Sequence, residues 1–63
     1  MKYIKLPLNL NDKFIPINNV SNHRLLQILN DDLPDHTRYL ISDSDMKKAS
    51  LQAFDILKKR GLI

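Results

Sequence analysis

Histidine is the residue type most often used for proton transfer near neutral pH, and the sequence has two, His23 and His36. No serine lies in a nucleophile motif, and there is no cysteine. The single glycine, Gly61, cannot make a phosphate-binding loop, which needs several glycines close together. We therefore predict that the chain is not an enzyme, with no cofactor and no small-molecule substrate.

Aspartates are the candidate metal ligands, and they concentrate in the middle of the chain. They are Asp31, Asp32, Asp35, Asp43 and Asp45, with His36 beside the third. Their spacing does not match a calcium-binding loop, which also needs a central glycine. Asp43 and Asp45 are explained by the start of a helix, where the helix dipole favours negative charge. We predict no metal site, and interpret Asp31, Asp32, Asp35 and His36 as solvated residues at the end of a helix and in the loop that follows it.

Basic residues cluster near the end of the sequence and suggest nucleic-acid binding. They are Lys47, Lys48, Lys58, Lys59 and Arg60. Residues 50–63, with the run Lys58-Lys59-Arg60-Gly61-Leu62-Ile63, resemble the recognition helix of winged-helix DNA-binding domains. The resemblance implies a small transcriptional regulator whose C-terminal helix contacts phosphates. The wing strands of that family do not follow within these 63 residues, and a hairpin predicted at the N-terminus has no place in its three-helix core.

The formal net charge of +3 is distributed in segments. Residues 1–24 carry +3, residues 25–45 carry −4 and residues 46–63 carry +4. A chain that alternates in sign is not a uniformly basic one. The sequence pI of about 9.5 is therefore weak evidence for a nucleic-acid partner.

The N-terminal residues predict a β-hairpin. Ile4, Leu6, Leu8 and Leu10 fall on every second position, which is typical of a strand over residues 3–10 with one buried face. Pro7 would lie on the opposite face and mark a sheet edge. A turn at residues 11–13 would lead to a second strand at residues 14–17.

A first helix is predicted over residues 22–32, with Ser21 as its N-cap. Leu33-Pro34 would end it, because the residue before proline is disfavoured in the helical region. Residues 35–37 would form a loop, and Arg38-Tyr39-Leu40-Ile41 a short third strand.

A second helix is predicted over residues 43–60, between an N-cap at Ser42 and a left-handed C-terminal residue at Gly61. Its buried face would comprise Met46, Ala49, Ala53, Phe54, Ile56 and Leu57, and its polar face Lys48, Gln52, Asp55 and Lys59. Leu51 fits neither face. It would project into solvent beside Lys47 and Lys58.

Together these elements predict one small α+β domain over residues 1–63, in the order β-β-α-β-α. Two helices would cover one face of a three-stranded sheet. A domain of this size buries a small core, so a second chain would help to stabilise it.

The function that these features favour is a protein-binding regulator of the inhibitor, adaptor or antirepressor type. The candidate binding residues are Leu51, Lys47, Lys58, Tyr3 and Tyr39. The partner would be another protein or a second copy of the chain as a homodimer, with DNA binding as the alternative. The longest apolar runs are too short to span a membrane, and the first residues do not resemble a signal peptide. We predict a cytoplasmic protein, and the abundance of Asn, Asp, Lys and Ile suggests a bacterial or phage source.

Overall fold

The computed structural model of the protein describes residues 3–8 and 13–63. The elements in that part of the chain are two short strands and three α-helices, with a single 3-10 turn (Ile17–Asn19) between the two groups. They are β1 (Lys5–Leu6), β2 (Ile15–Pro16), α1 (Asn22–Leu29), α2 (Asp35–Arg38) and α3 (Asp43–Lys59). The fold is a small α+β domain dominated by the packing of α1 against α3.

The predicted hairpin is present as an antiparallel pair, in which Leu6 lies opposite Ile15. The alternation of buried and exposed residues stops at Pro7, which is fully buried, so the prediction that Pro7 faces away from the core was wrong. The backbone N–H of Leu8 donates to the carbonyl of Leu6 at 2.9 Å, which closes a tight turn around Pro7 and ends the strand. Leu10 and the first two residues of the predicted turn lie outside the described residues.

The predicted third strand at residues 38–41 was wrong, and with it the three-stranded sheet and the β-β-α-β-α order. This part of the chain forms α2 and a turn instead. The carbonyl of Pro34 accepts hydrogen bonds from the N–H groups of Thr37 at 2.9 Å and Arg38 at 2.8 Å. Pro34 is the N-cap residue of α2, with φ −55° and ψ 143°, so its extended backbone comes just before the first helical turn. The proline that separates α1 from the next element therefore also starts α2.

Both predicted N-caps are confirmed. The hydroxyl of Ser21 accepts from the N–H of Arg24 at 3.4 Å, and that of Ser42 accepts from the N–H of Asp45 at 3.1 Å. Helix α1 ends at Leu29, three residues before the predicted end, because Asp31 adopts a positive φ of 50°. Aspartate tolerates this left-handed conformation better than most residues.

The predicted left-handed residue at Gly61 is also confirmed, and α3 ends at Lys59, one residue before the predicted end. Gly61 has a φ of 78°, and the N–H of Leu62 donates to the carbonyl of Leu57 at 3.0 Å. A second bond, from the N–H of Gly61 to the carbonyl of Lys58 at 3.1 Å, completes a Schellman motif.

The hydrophobic core lies between α1, α3 and the N-terminal segment. Its members are Leu6, Leu8, Ile17, Val20, Leu25, Ile28, Leu33, Ile41, Met46, Ala49, Ala53, Ile56 and Leu57. Phe54, which the sequence places on the buried face of α3, is 48% exposed, so that prediction was wrong. One step along a helix rotates by about 100°, which carries Phe54 well away from the fully buried Ala53.

We expect Gly61→Val to lower the free energy of unfolding by about 1 kcal/mol, because a β-branched residue resists positive φ. A Cβ atom at this position would meet nothing within 4 Å, so the cost is conformational rather than steric. Urea unfolding followed by circular dichroism measures it. Gly61→Asn is the matched control and should cost less, since asparagine tolerates the left-handed region. Equal midpoints for Gly61→Val and the parent chain would show that the motif does not stabilise the helix end.

Candidate functional site

Helix α3 is buried along one side, while four residues on the opposite side form what we call the outer face: Lys47, Leu51, Phe54 and Lys58. They follow one another at intervals of four, three and four residues, so their side chains line up along the helix. Leu51 is 70% exposed, as its position in the sequence predicted, and Phe54 is 48% exposed. The outer face therefore has an apolar centre with a lysine at each end.

The two lysines of the outer face differ from Lys59, another lysine of α3, in their ion pairing. Lys59 forms an ion pair with Asp55, with 3.2 Å between Nζ and Oδ2. Within residues 3–8 and 13–63, Lys47 and Lys58 form no ion pair and no side-chain hydrogen bond. Their charges are consequently available to a partner as far as the described chain is concerned.

Tyr3 lies on a neighbouring side of α3 and is half-buried. Its hydroxyl donates to Oδ2 of Asp55 and accepts from Nζ of Lys59, both at 3.4 Å. The hydrogen bonds that the Lys59 ammonium donates, first to Asp55 and then to Tyr3, raise the pKa of Lys59 above its ordinary value. Tyr3 thus helps to fix the N-terminal segment to the helix.

The N-terminal segment also covers part of the polar face that the sequence predicts for α3. The backbone N–H of Ile4 donates to Oε1 of Gln52 at 2.8 Å. Gln52 and Asp55, which the sequence places on the polar face of α3, are therefore half-buried. Gln52 thus supplies an acceptor for a backbone N–H of the segment that precedes β1.

Tyr39 is 87% exposed and lies in the turn after α2, outside α3. Of the residues predicted to bind protein, the structure thus lines up Leu51, Lys47 and Lys58. It adds Phe54, which sequence reasoning assigned to the core. An independent signal was available, since Phe54 continues the four-three-four spacing that begins at Lys47.

The five residues predicted to bind nucleic acid do not form one free basic surface. Arg60 donates from Nη1 to the carbonyl of Val20 at 3.2 Å and to Oδ1 of Asn22 at 2.6 Å. It also donates from Nη2 to the carbonyl of Asn18 at 3.0 Å. Arg60 therefore joins the end of α3 to the start of α1, and its donors are largely used inside the protein.

Arg38 pairs with two of the five aspartates in residues 25–45, the segment with a charge of −4. Its guanidinium lies 2.8 Å from Asp43 and 3.3 Å from Asp31, and it donates to the carbonyl of Ile41 at 2.7 Å. The hydrogen bond to Asp43, followed by the interaction with Asp31, raises the pKa of Arg38. These contacts connect the end of α1 with the start of α3. The charges of Asp31 and Asp43 therefore stabilise the fold, and neither needs a ligand to explain it.

The histidines and remaining aspartates do not group into a metal site in the part of the chain that the structure covers. His23 lies on α1 and His36 on α2, rather than in the predicted loop, and both are exposed. No group of three or more acidic or histidine side chains suited to a metal ion occurs among the described residues.

None of the described helices is long and apolar enough to cross a membrane. No family model matches the chain, and no curated protein or solved structure, winged-helix or other, shows significant similarity to it.

We expect Arg60→Ala to lower the free energy of unfolding by about 1–2 kcal/mol, because a charged donor is removed from three acceptors. Arg60→Lys should restore only part of this, since a single ammonium cannot replace the planar fork of a guanidinium. Lys58→Ala, two residues away on the outer face, is the control and should change stability by less than about 0.5 kcal/mol. Thermal and urea unfolding measure all three. Identical midpoints for the two alanine variants would contradict the structural role of Arg60.

Proposed function

We propose that this chain is a non-enzymatic regulator that acts by binding another protein through the outer face of α3. The observation that carries the proposal is the exposure of Leu51, at 70%, next to Phe54 on a helix whose other side is core. Exposed apolar side chains contribute little to folding, because they stay in water. An apolar centre within a charged rim is the usual composition of a protein interface.

The regulatory role that suits such a chain is that of an inhibitor, an adaptor or an antirepressor. These proteins act by occupying a surface of a partner and need no catalytic groups. A helix held rigidly by α1 and the N-terminal segment presents its side chains with little loss of conformational entropy on binding. A cytoplasmic setting in a bacterium or phage belongs to the same proposal and rests on composition alone.

DNA binding is the weaker alternative. Lys59 and Arg60 are engaged by Asp55 and by the start of α1, which leaves Lys47, Lys48 and Lys58 of the five predicted residues. Leu51 and Phe54 stand between two of these lysines, whereas a phosphate-binding surface is polar at its centre.

Affinity capture from a bacterial lysate, with and without nuclease, tests the choice between the two kinds of partner. The bait is the full chain, tagged at the C-terminus. We expect captured proteins to remain after nuclease treatment, because the proposed contacts are made to protein. Loss of every captured protein on nuclease treatment would contradict the proposal and favour nucleic acid.

Direct titration of a 20-base-pair DNA duplex gives a second test of the alternative. We expect no saturable binding at 150 mM salt, because few unpaired cations are available to displace counterions from the DNA. Fluorescence anisotropy measures this at two salt concentrations. Saturable binding that weakens steeply with salt, and that Lys47→Ala/Lys58→Ala abolishes, would instead support DNA recognition by α3.

A further inference from the structure

The spacing of the outer face is that of a helix-packing seam. Lys47, Leu51, Phe54 and Lys58 repeat at four, three and four residues, which is the pattern by which one helix presents a stripe to another. Because α3 runs without interruption from residue 43 to residue 59, the whole stripe lies on one regular helix. At 1.5 Å per residue, Lys47 and Lys58 are separated by about 16 Å along the axis.

Charge restricts what can cover this stripe. Within the described residues, Lys47 and Lys58 form no ion pair. The carboxylates one helical turn before them, Asp43 and Asp55, are engaged by Arg38 and Lys59. A partner that buried Leu51 and Phe54 would bring its own groups against both ammonium groups. A lysine left unpaired at such a rim costs binding energy, while a carboxylate opposite each lysine offsets the loss of water.

A second copy of the chain does not satisfy this requirement. If two outer faces packed antiparallel with Leu51 against Phe54, Lys47 of each copy would lie opposite Lys58 of the other. If they packed parallel, each lysine would lie opposite its own equivalent. Like charges across an interface are unfavourable, so a second copy would place repelling ammonium groups at both ends of the stripe.

We propose that the partner of the outer face is an acidic amphipathic helix of another protein. Its contact residues would follow the order acidic, apolar, apolar, acidic at intervals of four, three and four. This order reads the same in both chain directions, so it applies to parallel and antiparallel docking. The inference rests on the proposed function and adds to it the chemistry of the partner.

Two synthetic helical peptides of 21 residues test the inference. The acidic peptide has leucine at the two central contact positions and glutamate at the two outer ones, and the basic peptide has lysine in place of the glutamates. Amide chemical shifts of the isotope-labelled protein follow each titration. We expect the acidic peptide to shift Lys47, Leu51, Phe54 and Lys58, and to bind at least about tenfold more tightly than the basic one.

The double variant Lys47→Glu/Lys58→Glu is the matched reversal, and its circular dichroism and unfolding midpoint verify that it folds. We expect it to prefer the basic peptide, because the charges at both ends of the stripe are exchanged. Equal binding of the two peptides, no binding at millimolar concentration, or shifts confined to another surface would each overturn the inference. So would a concentration-dependent dimer of the parent chain that Lys47→Glu/Lys58→Glu leaves intact.

These outcomes are distinguishable from failure of the proposed function. A cellular partner that is lost with Leu51→Asp but kept by Lys47→Glu/Lys58→Glu would retain the outer face as a protein-binding surface. It would then show that the partner is not acidic. A cellular partner that both variants retain would contradict the proposed function itself.

Discussion

Leu57→Ala is expected to unfold a large fraction of the protein at room temperature. Leu57 is fully buried on the side of α3 that belongs to the core, and removing a buried leucine side chain typically costs about 2–5 kcal/mol. A core in a domain of this size supplies roughly 3–5 kcal/mol of net stability. The two quantities are comparable, so the variant should lose most of its cooperative unfolding transition.

Urea unfolding followed by circular dichroism measures this effect, with the adjacent Lys58→Ala as the control. Lys58 is exposed, and its substitution should change the free energy of unfolding by less than about 0.5 kcal/mol. The pair tests the rotation of α3 directly, because Leu57 is buried and the adjacent Lys58 is exposed. A Leu57→Ala variant as stable as Lys58→Ala would mean that α3 is rotated differently.

Leu51→Asp is expected to weaken partner binding by at least about thirtyfold, while the fold remains intact. A loss of 2 kcal/mol or more is typical for an apolar residue at the centre of an interface, and it corresponds to this factor. Because Leu51 is 70% exposed, the same substitution should change the free energy of unfolding by about 0.5 kcal/mol or less.

Quantitative capture of the cellular partner by increasing amounts of bait measures the binding change. His23→Asp is the matched control, since it places the same negative charge on the exposed surface of α1. It should retain the partner fully. If Leu51→Asp unfolds the protein, Leu51 belongs to the core. If it folds and binds like the parent chain, the outer face is not the interface.

The elements that could be predicted from the sequence are those determined by neighbouring residues. Ser21 and Ser42 accept hydrogen bonds from backbone groups three residues away, and Gly61 meets the backbone requirement of a helix end. Each signal is complete within a few positions, so it can be read without knowledge of the fold. The exposure of Leu51 followed from the same local geometry, once the helix bounds were known.

The prediction of a third strand was wrong because two local signals in this segment favour different structures. Tyr39 and Ile41 favour strands, but the acidic Asp35 directly after Pro34 favours the first turn of a helix. The strand also had no paired neighbour, since β1 and β2 are each only two residues long. Buried Thr37 and Ile41 show that a short helix can supply core residues from this segment as well as a strand could.

Contacts between distant residues could not be predicted. Arg60 binds carbonyls about forty positions earlier, and Gln52 binds the N–H of Ile4. Nothing in the local sequence distinguishes Arg60 from the neighbouring lysines, so all were grouped as one basic surface. The exposure of Phe54 differs from these contacts, because its spacing from Leu51 and Lys58 already indicates the outer face.

Site-specific photo-crosslinking tests most directly whether the outer face of α3 binds a protein. The photoreactive residue p-benzoylphenylalanine replaces Leu51 in one variant and His23 in the other, and each is irradiated in a nuclease-treated bacterial lysate. We predict a discrete crosslinked protein from position 51 that is absent from position 23, and that excess unlabelled parent chain suppresses. The same crosslinks from both positions, or none from position 51 in a folded variant, would contradict the account.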